Sequence, residues 1–471
     1  TVADIHLAHL EGYQSIEHLK RYTTTGMATD QGKTSNLNAL SILAELKNLP
    51  VSQIGTTTFR PPYTPVDFGA VVGQKTNELF MPKRTTPMHP SHLAEQCIFE
   101  DVGDWKRPFC FTQKHETIEQ AVRRECMQAR QDAGLLDAST LGKIDIQGKD
   151  AGQFLDLIYT NLFSKLAIGS CRYGLMLNEH GMVFDDGVTT RLAENHYHMT
   201  TTTGGAANVL NWLEMWLQTE WPDLKVYCAS VTEQWAVATL SGPKARDILT
   251  PLCEFDISHD AFKHMTSRTG KIAGVEGRIF RISFTGDTAF EINVPARFGH
   301  YLWQTIRQAG KAYDLCLYGT QAMHVLRAEK GYIIVGQDSD GTMTADDLGL
   351  NWIISKKKED FLGKRSLIRS DIVRKDRKQL VGILVENQNV VLPEGAHLVE
   401  TLKHAPPMHM LGHITSSYYS PTLKRSFALA VVQRGRERIG EHLYVPLMNG
   451  HHQKVKLVNP VFFDPENKRL N

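Results

Sequence analysis

The sequence lacks a dominant charge and a long apolar run. Its 471 residues carry 52 lysine and arginine side chains against 51 aspartate and glutamate side chains, which leaves a net charge of +1. This balance argues against a nucleic-acid-binding protein and against an acidic solvating tail. No stretch reaches the roughly 18 apolar residues that a membrane-spanning helix needs, so we expect no membrane segment.

Paired cysteines are also lacking. The seven cysteines occur singly, without a Cys-x-x-Cys spacing, and mostly in apolar surroundings. This pattern predicts reduced, buried thiols in a cytoplasmic protein and argues against a metal site built from cysteines. The first residues, TVADIHLAHLEGYQ, have no basic segment followed by an apolar one, so they are not typical of a signal peptide.

Two nucleotide-binding motifs are absent. The segment GMATDQGKT resembles a P-loop, but one residue too many separates Gly26 from Gly32 and no apolar strand precedes it. No GxGxxG stands near the start, so we expect no dinucleotide-binding fold within this chain.

The pattern of apolar residues and prolines divides the chain into four regions. Residues 1–60 show helical periodicity, and residues 61–94 are rich in proline and predict an extended connector. Residues 95–375 alternate helices and strands, with hints of two duplicated α+β halves near 118–200 and 207–295. Residues 376–471 are dominated by short strands, which predicts a small antiparallel β-barrel. The fold class is therefore α+β.

A pair of adjacent carboxylates stands out in LNEHGMVFDDGVTTRL. Asp185 and Asp186 follow an apolar run, and adjacent residues of a strand face opposite sides, so one can face a cavity while the other caps a turn. Alone, the pair is more typical of a plain turn. Glu291 near the end of a strand and Arg327 on an apolar helix add weight, because a buried arginine needs a carboxylate from the protein or from a ligand.

Several motifs occur in one order: LNEHGMVFDDGVTTRL, VATLSGPKA, SFTGDTAFEINVP, LRAEKGYIIVGQD, LGLNWIISKKKEDFLGKRSL and GHITSSYYSPTLKRSFALAVV. Together they resemble the folate-binding aminomethyltransferase family, the T-protein of the glycine cleavage system, from about Thr85 onward. The resemblance implies a three-domain cloverleaf around a folate channel, with the C-terminal barrel as its last domain.

The first 90 residues refine this resemblance. GYQSIEHLKRYTTTGMATDQGKTSNLNAL and GTTTFRPPYTPVDFGAVVG are similar to the alpha subunits of heterotetrameric sarcosine oxidases. The resemblance implies that residues 1–60 are the helical tail of an NAD-binding, flavoprotein-like domain absent from this chain, and that the chain is part of something longer. Similar helical modules hold an iron–sulfur cluster, but the loop here has no cysteine, so we expect none.

The resemblance also implies roles for individual residues. Asp186 matches the catalytic carboxylate beside the reacting folate nitrogens, and Asp185 is its supporting neighbour. Folate-binding positions are implied for Glu291, Arg327, Tyr173, Thr202, Thr203 and Phe284. Thr202 and Thr203 stand where T-proteins often have Asn, and Phe284 replaces a frequent Tyr.

The implied function is folate-dependent one-carbon transfer. In the oxidases that the chain resembles, a flavin-bearing beta subunit (FAD or FMN) oxidises sarcosine to an imine, and tetrahydrofolate captures the carbon as 5,10-methylenetetrahydrofolate, leaving glycine. Smaller subunits would complete the hetero-oligomer. Two alternatives stay open: a stand-alone aminomethyltransferase, and a non-catalytic folate-binding or assembly module.

Overall fold

The computed structural model describes residues 1–27, 29–64, 66–74, 83–403 and 407–470. Ala28, residues 65 and 75–82 of the predicted connector, and residues 404–406 and 471 of the predicted barrel region lie outside the described residues. The chain forms two compact units, residues 1–82 and 83–471.

The first unit is helical in its described part. Its helices are α1 (Val2–Leu10), α2 (Ile16–Tyr22), α3 (Ser35–Lys47) and α4 (Phe68–Val72). Ile5, Leu19 and Leu43 are buried where α1, α2 and α3 pack together. The helical character expected for this region is present, and its origin as the tail of another domain stays a prediction.

The second unit mixes helices and strands. Its helices are α5 (His89–Ala94), α6 (Ile118–Gln131), α7 (Ala151–Ile158), α8 (Ala206–Thr219), α9 (Ala245–Leu249), α10 (Gly299–Gly310) and α11 (Thr320–Glu329). Its strands before the barrel are β1 (Ile98–Val102), β2 (Trp105–Cys110), β3 (Gly134–Asp137), β4 (Gly142–Gln147), β5 (Cys171–Leu177), β6 (Val183–Ala193), β7 (His196–Thr201), β8 (Tyr227–Ser230), β9 (Trp235–Ser241), β10 (Ser267–Ile272), β11 (Val275–Phe280), β12 (Ala289–Pro295) and β13 (Cys316–Leu317).

The region predicted as an extended connector contains α4 and α5. Asp67 caps α4 by accepting a hydrogen bond from the Ala70 N–H at 2.7 Å. Pro90 lies in the first turn of α5, where a missing N–H costs nothing. Proline content therefore overstated how extended these residues are.

Besides the antiparallel β1–β2 pair, two larger sheets organise residues 95–330. One has the order β5-β6-β7-β4-β8 and is antiparallel, and the other has the order β10-β11-β12-β9-β3-β13 with a parallel β3–β13 pair. The predicted duplicated halves differ from this arrangement in one respect. β3 precedes β4 by only a short loop, yet it joins the other sheet by pairing with β9. Long-range strand pairing, which local periodicity does not encode, decides this exchange.

The C-terminal strands close into a barrel, as predicted. They are β14 (Lys378–Val385), β15 (His397–Val399), β16 (Met410–Ser420), β17 (Arg425–Gln433), β18 (His442–Pro446) and β19 (His452–Val458). Their order is β14-β17-β16-β15-β18-β19, and pairing of β14 with β19 closes the ring. Alternate residues fill the barrel interior, whereas Leu380, Phe427 and Leu429 point outward and pack with α11 in a separate core cluster.

A buried ion network ties α6 to α11. The Arg130 guanidinium, 4% exposed, donates to Glu329 Oε2 at 2.8 Å and also pairs with Asp287 in the loop before β12. The Ser420 hydroxyl of β16 donates to the other Glu329 oxygen at 2.5 Å. Arg469 pairs with Asp287 at 2.7 Å, so the C-terminal tail joins the same network.

We expect Glu329→Ala to lower the unfolding free energy of the second unit by about 3–5 kcal/mol, because Arg130 would keep a buried charge with only part of its compensation. Urea unfolding followed by circular dichroism measures this. The control is Glu386→Ala, which removes an exposed pair with Lys454 and should cost less than about 1 kcal/mol. Equal losses in the two variants would contradict the role given to the network.

Candidate functional site

A cavity of about 1710 Å³ lies where the two sheets, α11 and the C-terminal tail meet. Strands β5, β6 and β7 provide one wall, and β9, the β11–β12 loop and β12 provide another. Its size is sufficient for a cofactor or drug-sized ligand, and its lining combines apolar side chains with a few carboxylates. Most of the residues predicted for the site line it.

Asp185 and Asp186 both line the cavity, but they have different hydrogen-bond partners. Asp185 is 2% exposed, and its carboxylate accepts hydrogen bonds from the Asp186 N–H at 2.8 Å and the Thr202 hydroxyl at 3.2 Å. It thereby holds the turn that leads into α8. Asp186 accepts a 2.6 Å hydrogen bond from the Tyr173 hydroxyl of β5 and lines the cavity. Asp185 therefore supports the backbone, and Asp186 presents a carboxyl group to the cavity.

Burial makes these acids weak. It raises the pKa of Asp186 to about 7, although the hydrogen bond from Tyr173 acts in the opposite direction. The pKa of Asp185 is raised to about 6, again because burial disfavours the charged form. A carboxyl group with a pKa near 7 can both take and give a proton at neutral pH, as a general acid–base group must.

Glu291 faces the cavity from β12, opposite Thr239 of β9. Within the described residues, no side chain or backbone group makes a hydrogen bond or ion pair with its carboxylate. Burial raises the pKa of Glu291 to about 7, and the charge of Lys143 partly opposes this rise. Its carboxylate is free to accept hydrogen bonds from a ligand.

Lys143 is a residue that the sequence reasoning missed. It is 1% exposed, donates to the Ser139 and Leu141 carbonyls at 2.8 Å each, and lines a small second cavity together with Glu291. Burial lowers the pKa of Lys143 to about 8. Strand alternation puts it on the same face as Asp145 and Gln147, which predicts exposure; long-range packing buries it instead.

Three other residues that were predicted for the site also belong to the cavity lining. Thr202, Thr203 and Phe284 line the cavity, with Thr203 within 3.1 Å of the Thr140 hydroxyl and Phe284 stacked on Tyr332. The side chain of Phe284 is 36% exposed, so it lies at the rim of the cavity. The threonines follow β7, so they present hydroxyls where an amide is frequent in the family that the sequence resembles.

Arg327 is the exception. It is fully buried, but it is not among the described residues that line the cavity. Its guanidinium donates to Asp338 at 2.5 Å and to the Ser416 hydroxyl of β16 at 2.7 Å. The carboxylate partner that a buried arginine needs comes from the protein, so the geometry favours a structural role and folate contact stays a prediction.

The described part of the chain shows neither of two further features, a metal-binding cluster and a membrane-spanning helix. It contains no cluster of three or more His, Cys, Asp or Glu side chains arranged to hold a metal ion. It also has no helix long and apolar enough to cross a bilayer. All seven cysteines are unpaired, and five of them are buried.

Comparison with protein families divides the chain into three matched segments. Residues 88–358 match the model of the GCVT N-terminal domain, and residues 378–464 match that of the glycine cleavage T-protein C-terminal barrel domain. Residues 1–74 match the sarcosine oxidase A3 domain.

Among curated relatives, a sarcosine oxidase subunit alpha from Corynebacterium sp. (strain U-96) is 51% identical over 100% of this chain and 49% of its own length. One from Rhizobium meliloti is 43% identical over 99% of this chain and 48% of its own length. This chain thus spans about half the length of these relatives. An aminomethyltransferase from Caldanaerobacter subterraneus is 30% identical over 78% of this chain and 92% of its own length.

Among solved structures, aminomethyltransferase T of the glycine cleavage system from Bartonella henselae has the same fold. It matches with a TM-score of 0.70 at 22% identity, over 81% of this chain and 98% of that chain. The α+β, aminomethyltransferase-like fold with a C-terminal antiparallel barrel is therefore confirmed.

We expect Asp186→Asn to stabilise the second unit more at high pH than at low pH. A carboxyl group whose pKa rises on folding from 3.8 to about 7 favours the folded state at low pH, and this contribution is lost as the pH rises through about 7. Since Asn cannot ionise, the variant should gain roughly 1–3 kcal/mol of unfolding free energy relative to the parent between about pH 5.5 and about pH 8.5.

Calorimetric melting across that range tests this expectation. The control is Asp256→Asn, since Asp256 is exposed and hydrogen bonds from Ser258 hold its pKa below the usual value, so its effect should not vary over that range. An effect of Asp186→Asn that is equally independent of pH would show that Asp186 does not titrate near neutrality.

Proposed function

The chain belongs to the aminomethyltransferase family of the glycine cleavage T-protein. From this membership we propose that its second unit binds tetrahydrofolate in the cavity and catalyses one-carbon transfer. The observation that carries the proposal is the pairing of Asp186 with Tyr173 on the cavity wall, since it places a carboxyl group with a pKa near 7 where a ligand amine can reach it.

The residues present fit a folate. The pterin ring has an amidine-like edge whose N–H groups pair well with a carboxylate, and Glu291 offers a carboxylate that no described residue engages. Phe284 and Tyr332 at the cavity rim provide apolar and aromatic surface of the kind that ligand pockets use to hold flat rings.

Tetrahydrofolate supplies the two amines that carry the one-carbon unit. Asp186 orients an amine by accepting its N–H, takes a proton as nitrogen–carbon bonds form, and returns it to the departing amine. Its ionised form also stabilises positive charge on an iminium carbon. Tyr173 holds the carboxyl group in one orientation through its 2.6 Å hydrogen bond.

The first unit and the curated relatives favour a place in a sarcosine oxidase. In this proposal, a flavin-bearing beta subunit oxidises sarcosine to its imine. The imine carbon is then captured as 5,10-methylenetetrahydrofolate, while two protons from the folate amines pass to the nitrogen that leaves as glycine. The match of residues 1–74 to the sarcosine oxidase A3 domain supports this over a stand-alone aminomethyltransferase. NAD would bind a domain outside this chain.

We expect Glu291→Gln to weaken tetrahydrofolate binding by about 10- to 100-fold, because a neutral amide cannot replace a charge-assisted pair with the pterin edge. Titration calorimetry measures the affinity. The control is Glu254→Gln, which changes an exposed carboxylate outside the cavity lining and should bind folate as the parent does. Unchanged binding in Glu291→Gln would remove this residue from the pterin site.

We expect Asp186→Asn to reduce formation of 5,10-methylenetetrahydrofolate by about 10²–10⁴-fold, since the amide cannot exchange protons. The measured quantity is the rate above the uncatalysed condensation, with tetrahydrofolate and an imine donor at saturating concentrations. If the parent chain binds folate but gives no rate above that background, it is a non-catalytic folate-binding module. Equal rates in parent and variant would contradict the role of Asp186.

A further inference from the structure

Arg107 on β2 is a buried arginine that lines the large cavity. It is 8% exposed and lies between Trp105 and Phe109 on one face of the strand. It shares the cavity lining with His324 of α11, whose pKa it helps to lower. A guanidinium in such surroundings is costly unless an anion compensates its charge.

Within the described residues, that anion is missing. No carboxylate lies within 4.0 Å of the Arg107 guanidinium, no hydrogen bond leaves it, and its Nε is buried without an acceptor. Glu100 faces Arg107 across the β1–β2 pair and also lines the cavity, but the two side chains do not form an ion pair. Asp137 is the other acid whose charge acts to raise the pKa of Arg107, and it already accepts hydrogen bonds from Thr86 and His92.

The other basic side chains of the cavity are already engaged or neutral. Lys330 pairs with Asp464, Arg436 pairs with Asp346, and Arg172 donates to a main-chain carbonyl. Burial lowers the pKa of His264 to about 4 and that of His324 to about 3, so both are neutral at pH 7. Among the described basic residues that line the cavity, Arg107 is therefore the buried one whose guanidinium has neither a carboxylate partner nor a hydrogen bond.

We infer that Arg107 is the binding site for a carboxylate of the ligand. Its planar fork of N–H donors matches a carboxylate in a bidentate pair, and a dry surrounding strengthens that pair. The inference rests on the proposed function, in which two molecules carry carboxylates: the amino acid that bears the one-carbon unit, and the glutamate tail of folate. Both have the same recognition chemistry, and the experiment separates them.

The test uses ligand pairs that differ only in the carboxylate. Glycine is compared with glycinamide, and tetrahydrofolate with its glutamate diamide, by titration against the whole chain. In the parent, the carboxylate member of one pair should bind about 10- to 100-fold more tightly than its amide. Arg107→Met should abolish that difference without weakening the amide, and Arg107→Lys should restore part of it, because lysine keeps the charge and loses the fork.

The matched control is Arg436→Met, which removes a cavity-lining arginine that already has Asp346 as a partner and should preserve the difference. If Arg107→Met does not fold, Arg107→Gln takes its place, with circular dichroism as the check. Equal binding of acid and amide in both pairs by the parent, or equal loss of both in the variant, overturns the inference. Failure of both folate forms to bind would instead count against the proposed function, and the glycine pair would still decide the role of Arg107.

Discussion

The second unit depends on the charge of Arg130 being balanced away from water. A guanidinium that is 4% exposed can be accommodated only by carboxylates held in place around it, and Glu329 and Asp287 meet that need from α11 and from the loop before β12. Because Glu329 also accepts from Ser420, and Asp287 also pairs with Arg469, one buried charge fixes the relative positions of a helix pair, a sheet, the barrel and the tail. Of these elements, α11, the sheet that contains β12, the barrel and the tail contribute residues to the cavity wall.

The cavity lining contains ionisable side chains of opposite charge, and the fold keeps them apart. Asp186 and Glu291 lie on strands of different sheets, and Arg107 lies on β2. In the low-dielectric interior, each group keeps an affinity for a ligand atom of opposite character. The arrangement fits a ligand that brings amines to the carboxyl groups and an acid to the guanidinium. A binding surface of one charge sign could not select such a molecule.

Local patterns predicted much of this structure. The alternation of β6 predicted different surroundings for Asp185 and Asp186, which do have different hydrogen-bond partners although both line the cavity. The strand-rich tail indicated a barrel. What escaped prediction depends on contacts between distant parts of the chain. β3 joins the sheet of β9, and Lys143 is buried. Asp338 compensates the charge of Arg327, whereas the sequence allowed either a protein carboxylate or a ligand in that role. The role of each side chain depends on these long-range contacts. The sequence pattern therefore indicated the residues of the site but did not predict all of their partners.

The way Glu329 bridges α11 and β16 has a consequence for how members of such a family diverge. The barrel has its own family model and a closed ring of strands, and by those criteria it is an interchangeable part. Yet its Ser416 and Ser420 complete two ion networks whose charged members all lie before the barrel or after it. A barrel transplanted from a distant relative would bring its own hydroxyls or none. Replacement of the barrel by that of another family member is thus constrained by charged residues that lie outside the barrel.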